Sequence, residues 1–100
     1  MIHKTAIIDH KAKISTNVNI GAYTVIGPNV ELGENSVIQS HVSIMGHTKI
    51  GKNNKIYSFA SIGNDPQDLK FNDEETNLEI GNNNKIREYV TINPGTAGGG

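Results

Sequence analysis

The sequence predicts an all-β chain wound as a parallel β-helix, and three observations carry that expectation. The first is a period. Ile2, Ile8, Ile14, Ile20, Ile26, Leu32, Ile38, Ile44, Ile50, Ile56 and Ile62 share one six-residue frame, which resumes at Ile80, Ile86 and Ile92. Thirteen of the fourteen isoleucines lie on it, with Ile7 the exception, and a period of six suits neither a helix nor a short alternation. The second is the residue two places before each frame position, which is small or of medium size: Ala6, Ala12, Val18, Thr24, Val30, Ser36, Val42, Thr48, Asn54, Ala60, Leu78, Asn84 and Val90. Side chains alternate along a strand, so both sets can point inward together. The third is glycine just after the frame, at Gly21, Gly27, Gly33, Gly51, Gly63 and Gly81, where a corner needs positive φ or close backbone approach.

Eleven hexads run from Ile2 to Ile62 without a break and three more from Ile80 to Ile92. Three hexads closing a triangle make a coil of eighteen residues, so Ile2, Ile20, Ile38 and Ile56 stack in one column, with coils ~4.8 Å apart, the spacing of hydrogen-bonded strands. A buried Ile contributes roughly 1.5–3 kcal/mol. One coil cannot bury its interior alone, so stability comes from stacking. Thirteen asparagines fit a chain full of corners. A β-sandwich would turn at irregular intervals and lose phase over eleven hexads.

Composition narrows the function classes. One hundred residues allow one domain, a hexapeptide-repeat unit over 1–100. A net charge of −1 gives no basic footprint for nucleic acid. Absence of cysteine excludes disulfides, thiolate metal sites and Cys nucleophiles. No apolar run approaches the length of a membrane span. The start, MIHKTAII, enters the repeat at once and lacks a signal-peptide core, so the expected location is cytoplasmic.

One stretch breaks the frame. Between Ile62 and Ile80 the frame positions fall on Asp68 and Glu74, which cannot face a dry core, and Pro66 removes a ladder donor. A loop excursion is expected around residues 64–79, either leaving the coil or replacing most of one. Loops on rigid scaffolds concentrate binding residues. The alternative is an inert acidic surface, against which Leu69 and Phe71 argue as apolar residues wanting a surface to cover.

Four segments in order, Gly46–Gly51 (GHTKIG), Ala60–Gly63 with Gln67–Lys70 (ASIG, QDLK), Asn84–Ile92 (NKIREYVTI) and Gly95–Gly100 (GTAGGG), resemble the N-terminal part of the UDP-N-acetylglucosamine acyltransferases that open lipid A synthesis. A hexapeptide repeat alone is shared with several families; QDLK followed by IREYVTI and GTxxGGG is far more specific. The resemblance covers essentially the whole chain and well under half of a family-length protein, implying a chain cut before the catalytic segment.

The resemblance implies a left-handed coil, although parallel crossovers are generally right-handed, and a homotrimer with active sites between subunits. It implies transfer of an (R)-3-hydroxyacyl chain from acyl carrier protein to the 3-hydroxyl of UDP-N-acetylglucosamine. A His would act as general base and a backbone N–H would stabilise the oxyanion, with no metal or organic cofactor. Asp68 matches the family aspartate that contacts the sugar, where a carboxylate accepts hydroxyl hydrogen bonds or orients an imidazole. Gln67 matches a neighbour reaching the nucleotide-sugar, and Lys70 could meet the diphosphate as a point charge or be a solvated loop lysine. Asn93 departs from a family histidine in a TIHRG segment near the phosphates; Asn hydrogen-bonds but cannot become cationic. Arg87 and Glu88 read as outer-surface or subunit-contact residues, or as a structural ion pair.

The general base is expected downstream of Gly100. His3, His10, His41 and His47 precede the catalytic segment and read as surface or trimer-contact residues. His41 and His47, six apart, take equivalent places on consecutive faces and point apart, whereas metal-bound imidazoles converge at ~2.0–2.1 Å from the ion. A γ-carbonic-anhydrase-like metalloenzyme would need three His meeting across a subunit boundary. A structural or ice-binding β-helix would show a flat Thr face, but the Thr residues here are scattered. The related glucosamine N-acyltransferase usually has a separate domain before its helix.

Overall fold

A computed structural model describes residues 1–63 and 77–92. The described residues form thirteen short strands, all parallel, in three sheets. Face 1 stacks β1 (Ile7–Ile8), β4 (Val25–Ile26), β7 (Ser43–Ile44), β10 (Ser61–Ile62) and β13 (Thr91–Ile92). Face 2 stacks β2 (Lys13–Ile14), β5 (Val30–Leu32), β8 (His47–Ile50) and β11 (Asn77–Ile80). Face 3 stacks β3 (Asn19–Ile20), β6 (Val37–Ile38), β9 (Lys55–Ile56) and β12 (Lys85–Ile86). Each strand pairs with the one three places on, so the chain visits the faces in rotation. That is the parallel β-helix expected from the six-residue frame.

The frame residues are the core. Ile20, Ile26, Leu32, Ile38, Ile44, Ile50, Ile56 and Ile62 are each no more than 2% exposed. The second inward set is buried with them from Val18 to Ala60. Its polar members Thr24, Ser36, Thr48 and Asn54 each use the side chain on backbone. Thr24 Oγ1 donates to Gln39 O at 2.7 Å and accepts from Val42 N at 3.2 Å, one coil on. Ser36 Oγ donates to Gly51 O at 3.1 Å and accepts from Asn54 N at 3.3 Å. Asn54 donates to Gly81 O at 2.7 Å and accepts from Asn84 N at 2.8 Å. A buried hydroxyl or amide here satisfies backbone groups that a corner leaves unpaired.

The corners divide the two uses expected of the glycine after the frame. At eight corners positive φ falls three residues after the frame, on Asn17, Tyr23, Asn35, His41, Asn53, Phe59, Asn83 and Tyr89, and of the glycines directly after the frame only Gly63, among the described residues, has it. At Gly21 the glycine is kept for close approach: a Cβ there would lie 2.7 Å from Gln39 C and Ser40 N in the coil above.

The open question about the break is decided by register. Leu32 pairs with Ile50, a step of 18, and Ile50 pairs with Ile80, a step of 30. Ile38 to Ile56 and Ile56 to Ile86 repeat those two steps, as do Ile44 to Ile62 and Ile62 to Ile92. No coil is missing from the stack, and the 12 extra residues (30 less 18) fall in sequence between β10 and β11. The expected excursion over 64–79 is too long at its far end. Residues 77–79 belong to β11, with Asn77 on His47, Leu78 on Thr48 and Glu79 on Lys49. Leu78 and Ile80 restore the inward pair, which is enough to resume pairing.

Candidate functional site

The predicted binding residues Gln67, Asp68 and Lys70 lie between β10 and β11, and Asn93 follows β13; all four fall outside the described residues. What the structure places is the ground from which the loop leaves and to which it returns. It leaves at Gly63, which is buried and has φ +74°. Gly63 N donates to Ile92 O at 2.7 Å, and Ile62 O accepts from Met45 N at 2.9 Å. It returns at Asn77, in register with His47. Both ends therefore rest on the segment from Met45 to Thr48.

Beside the return point, face 2 carries open grooves. One, of about 160 Å³, is lined by Asn29, Glu31, His47, Lys49, Asn77 and Glu79 among others. A second, of about 280 Å³, continues it past Lys11 and Lys13. The outward charges of this face alternate in register, Lys13 on Glu31, Glu31 on Lys49 and Lys49 on Glu79. Opposite charges directly across a sheet stabilise it modestly, so these side chains have a structural use without a ligand. Face 3 differs. Lys55 and Lys85 are in register there, with Lys55 Nζ 5.0 Å and Arg87 Cζ 4.2 Å from the centre of the Tyr57 ring. Arg87 Nε also meets Glu88 Oε1 at 3.1 Å, with both side chains exposed, the structural ion pair weighed from the sequence.

The histidines do not converge. His10 Nδ1 lies 3.6 Å from Asp9 Oδ1 on an exposed turn, and His3 Nδ1 is 2.8 Å from Thr5 Oγ1. His41 and His47 prove less equivalent than their spacing suggests. His41 has φ +57°, whereas His47 is the first residue of β8 because Gly46 takes the positive φ before it. His41 belongs to a column that sequence reasoning missed. Tyr23 meets His41 at 5.3 Å with the rings tilted by 39°, and His41, Phe59 and Tyr89 stack ring on ring at 5.1 and 5.6 Å along the same edge. Their spacing, eighteen and then thirty, was the available signal.

Comparison with known proteins places this geometry. The family model described as bacterial transferase hexapeptide (six repeats) matches residues 29–64. The acyl-[acyl-carrier-protein]–UDP-N-acetylglucosamine O-acyltransferase of Rickettsia peacockii is 52% identical over 99 residues, covering 99% of this chain and 38% of that protein. The enzyme of the same name from Thermodesulfovibrio yellowstonii is 51% identical over 98 residues. The crystal structure of LpxA from Acinetobacter baumannii superposes with a TM-score of 0.93 at 52% identity, over 97% of this chain and 38% of that one. Over essentially its whole length the chain is similar to UDP-N-acetylglucosamine acyltransferases. It spans 38% of the length of the curated relatives it matches. Its coil is left-handed, as the resemblance implied and against the general preference of parallel crossovers. Among the described residues no helix is long and apolar enough to cross a membrane.

Proposed function

We propose that this chain supplies the N-terminal part of an acyltransferase that moves an (R)-3-hydroxyacyl group from acyl carrier protein to the 3-hydroxyl of UDP-N-acetylglucosamine. The observation that carries the reading is identity of about half over the full chain with enzymes named for that reaction. In this reading the enzyme is a cytoplasmic homotrimer with clefts between subunits. Asp68 and Gln67 hold the sugar, Lys70 meets the diphosphate, and Asn93 offers a neutral hydrogen bond in place of the histidine that the family resemblance implies. A histidine beyond residue 100 removes the hydroxyl proton, a contribution typically worth ~10²–10⁴-fold. A backbone N–H receives the oxyanion, worth ~2.7–4 kcal/mol.

The test is Asp68→Ala in the full-length protein. Asp68 lies in the stretch where the apolar frame lapses, so the expected outcome is an unchanged oligomer and melting temperature with about 10²-fold lower turnover, the scale of a lost acid–base or orienting group. Unaltered steady-state kinetics would return the loop to an inert acidic surface.

A further inference from the structure

Face 3 holds charge in a way that its own fold does not explain. On face 2 the outward charges alternate in register, whereas on face 3 Lys55 lies directly on Lys85, a like-charge pairing that weakens a sheet. Neither lysine pairs with a carboxylate among the described residues. Lys55 Nζ and Arg87 Cζ converge on the Tyr57 ring at 5.0 and 4.2 Å, and a cation over a ring is attracted to it. Glu88 engages Arg87 through Nε, and the Arg87 side chain is 64% exposed.

The edge beside this strip is costly as well. Both edges of face 3 turn through positive φ. The edge entering the face has Asn17, Asn35, Asn53 and Asn83 there, while the edge leaving it has Tyr23, His41, Phe59 and Tyr89. Asn suits that conformation and bulky rings do not. Phe59 is 52% and Tyr89 77% exposed, so at least half of each stays uncovered. Exposed Tyr, Phe and Arg beside lysines without carboxylate partners have the composition of a protein–protein contact. A nucleic acid fits less well. Bases stack on open ring faces, but Phe59 and Tyr89 face each other at 5.6 Å with planes 6° apart, and Arg87 covers a face of Tyr57.

We infer that the strip formed by Lys55, Tyr57, Phe59, Lys85, Arg87 and Tyr89 is a docking surface for an acidic protein, and that its occupant is the acyl carrier protein of the proposed reaction. The choice of occupant rests on that reading, in which the carrier is the protein substrate. Charge complementarity carries the fit: the cations of two neighbouring coils face acidic side chains of the carrier, and the aromatic edge covers an apolar one. Contacts of this kind act mainly on the encounter, which they speed and make salt-dependent.

The experiment uses full-length protein, titrated with apo acyl carrier protein and assayed with the carrier-bound acyl donor. Lys55→Glu and Lys85→Glu should each weaken binding and raise the KM for the donor about 10-fold at low salt, with the KM for UDP-N-acetylglucosamine unchanged. Added salt should shrink the difference. Each reversal also sets Glu against Lys across the sheet, so the melting temperature should hold or rise. A merely structural role would not lose binding while the sheet gains stability. Tyr89→Ser should weaken binding less, about 3-fold, and Lys85→Arg should bind as the parent does. Lys4→Glu makes the same charge change on the exposed lowest coil and should leave both KM values alone. If Lys85→Glu binds the carrier as the parent does, or Lys4→Glu weakens binding as much, the docking assignment is wrong and the proposed function stands. The assignment is also wrong if polyuridylate binds more tightly than the carrier and loses affinity in the same variants. If the parent neither binds the carrier nor accepts its acyl group, the proposed function falls and the docking surface with it.

Discussion

Below the insertion each coil advances 18 residues, and above it the next coil takes 30, yet the pairing does not change. Ile44 meets Ile62 and Ile62 meets Ile92 in the same sheet, in the same register. Stacking is therefore indifferent to how much chain lies between two strands. It requires only that the inward pair recur, Thr48 with Ile50 and then Leu78 with Ile80. The lengthened step adds loop-closure entropy, which grows only with the logarithm of loop length. A repeat fold can carry an insertion at one corner because that corner's interior contacts are made by the strands before and after it.

The strongest way to break this equivalence is to place a charge in the shared column. Ile38, 1% exposed, and Ile86, 8% exposed, flank Ile56 from either side of the insertion. Ile38→Asp and Ile86→Asp in the full-length protein should each abolish cooperative folding, because an unpaired carboxylate among aliphatic side chains costs several kcal/mol. Thermal unfolding followed by circular dichroism measures this. If Ile86→Asp melts cooperatively near the parent temperature, the upper coil is not part of the same core.

A smaller effect should separate the two regions through their polar hand-offs. Asn54 spans the insertion, bonding at 2.7 and 2.8 Å to Gly81 O and Asn84 N. Ser36 does the same work one coil lower with longer bonds of 3.1 and 3.3 Å. Asn54→Ala leaves two groups of the upper coil without partners and should cost about 2–4 kcal/mol, against about 1–2 kcal/mol for Ser36→Ala. Urea midpoints of the two variants give the order. Equal losses would mean that the insertion places no special demand on Asn54.

These differences show what the sequence could and could not express. The frame and its inward partner were legible because burial leaves only aliphatic or small residues at fixed spacing, and a frame that keeps phase from Ile2 to Ile62 admits few folds. The insertion was legible only as a gap. Ile62 to Ile80 is eighteen residues, which is both one full coil and one hexad with 12 residues added, and only pairing distinguishes them. The column Tyr23, His41, Phe59 and Tyr89 escaped notice because aromatic residues at positive φ contradict local preference, and ring stacking across coils is a tertiary gain. The binding residues proposed in the loop carry no periodic signal; Gln67, Asp68 and Lys70 were found by resemblance to a family, not by the physics of the repeat.

The smallest expected effect on stability comes from removing the difference altogether. Excising residues 64–75 would join Gly63 to Thr76, leaving Ile62, Gly63, Thr76, Asn77, Leu78, Glu79 and Ile80, a hexad matching Ile44 to Ile50 below it. The step from Ile50 to Ile80 then becomes 18, the same as every lower step. No described inward residue is lost, since Leu78 and Ile80 keep their partners Thr48 and Ile50. The matching corner below carries its positive φ on Gly46, whose counterpart here is Thr76, so the excision is combined with Thr76→Gly to supply that conformation. The shortened full-length protein should fold within about 1 kcal/mol of its parent, because closing a shorter loop gains only a fraction of that, while transfer to UDP-N-acetylglucosamine should fall below detection. Melting and activity measured on the same preparation separate the two regions cleanly. A large loss of stability would show that the inserted residues pack on the coil, and full activity would show that the substrate is held elsewhere.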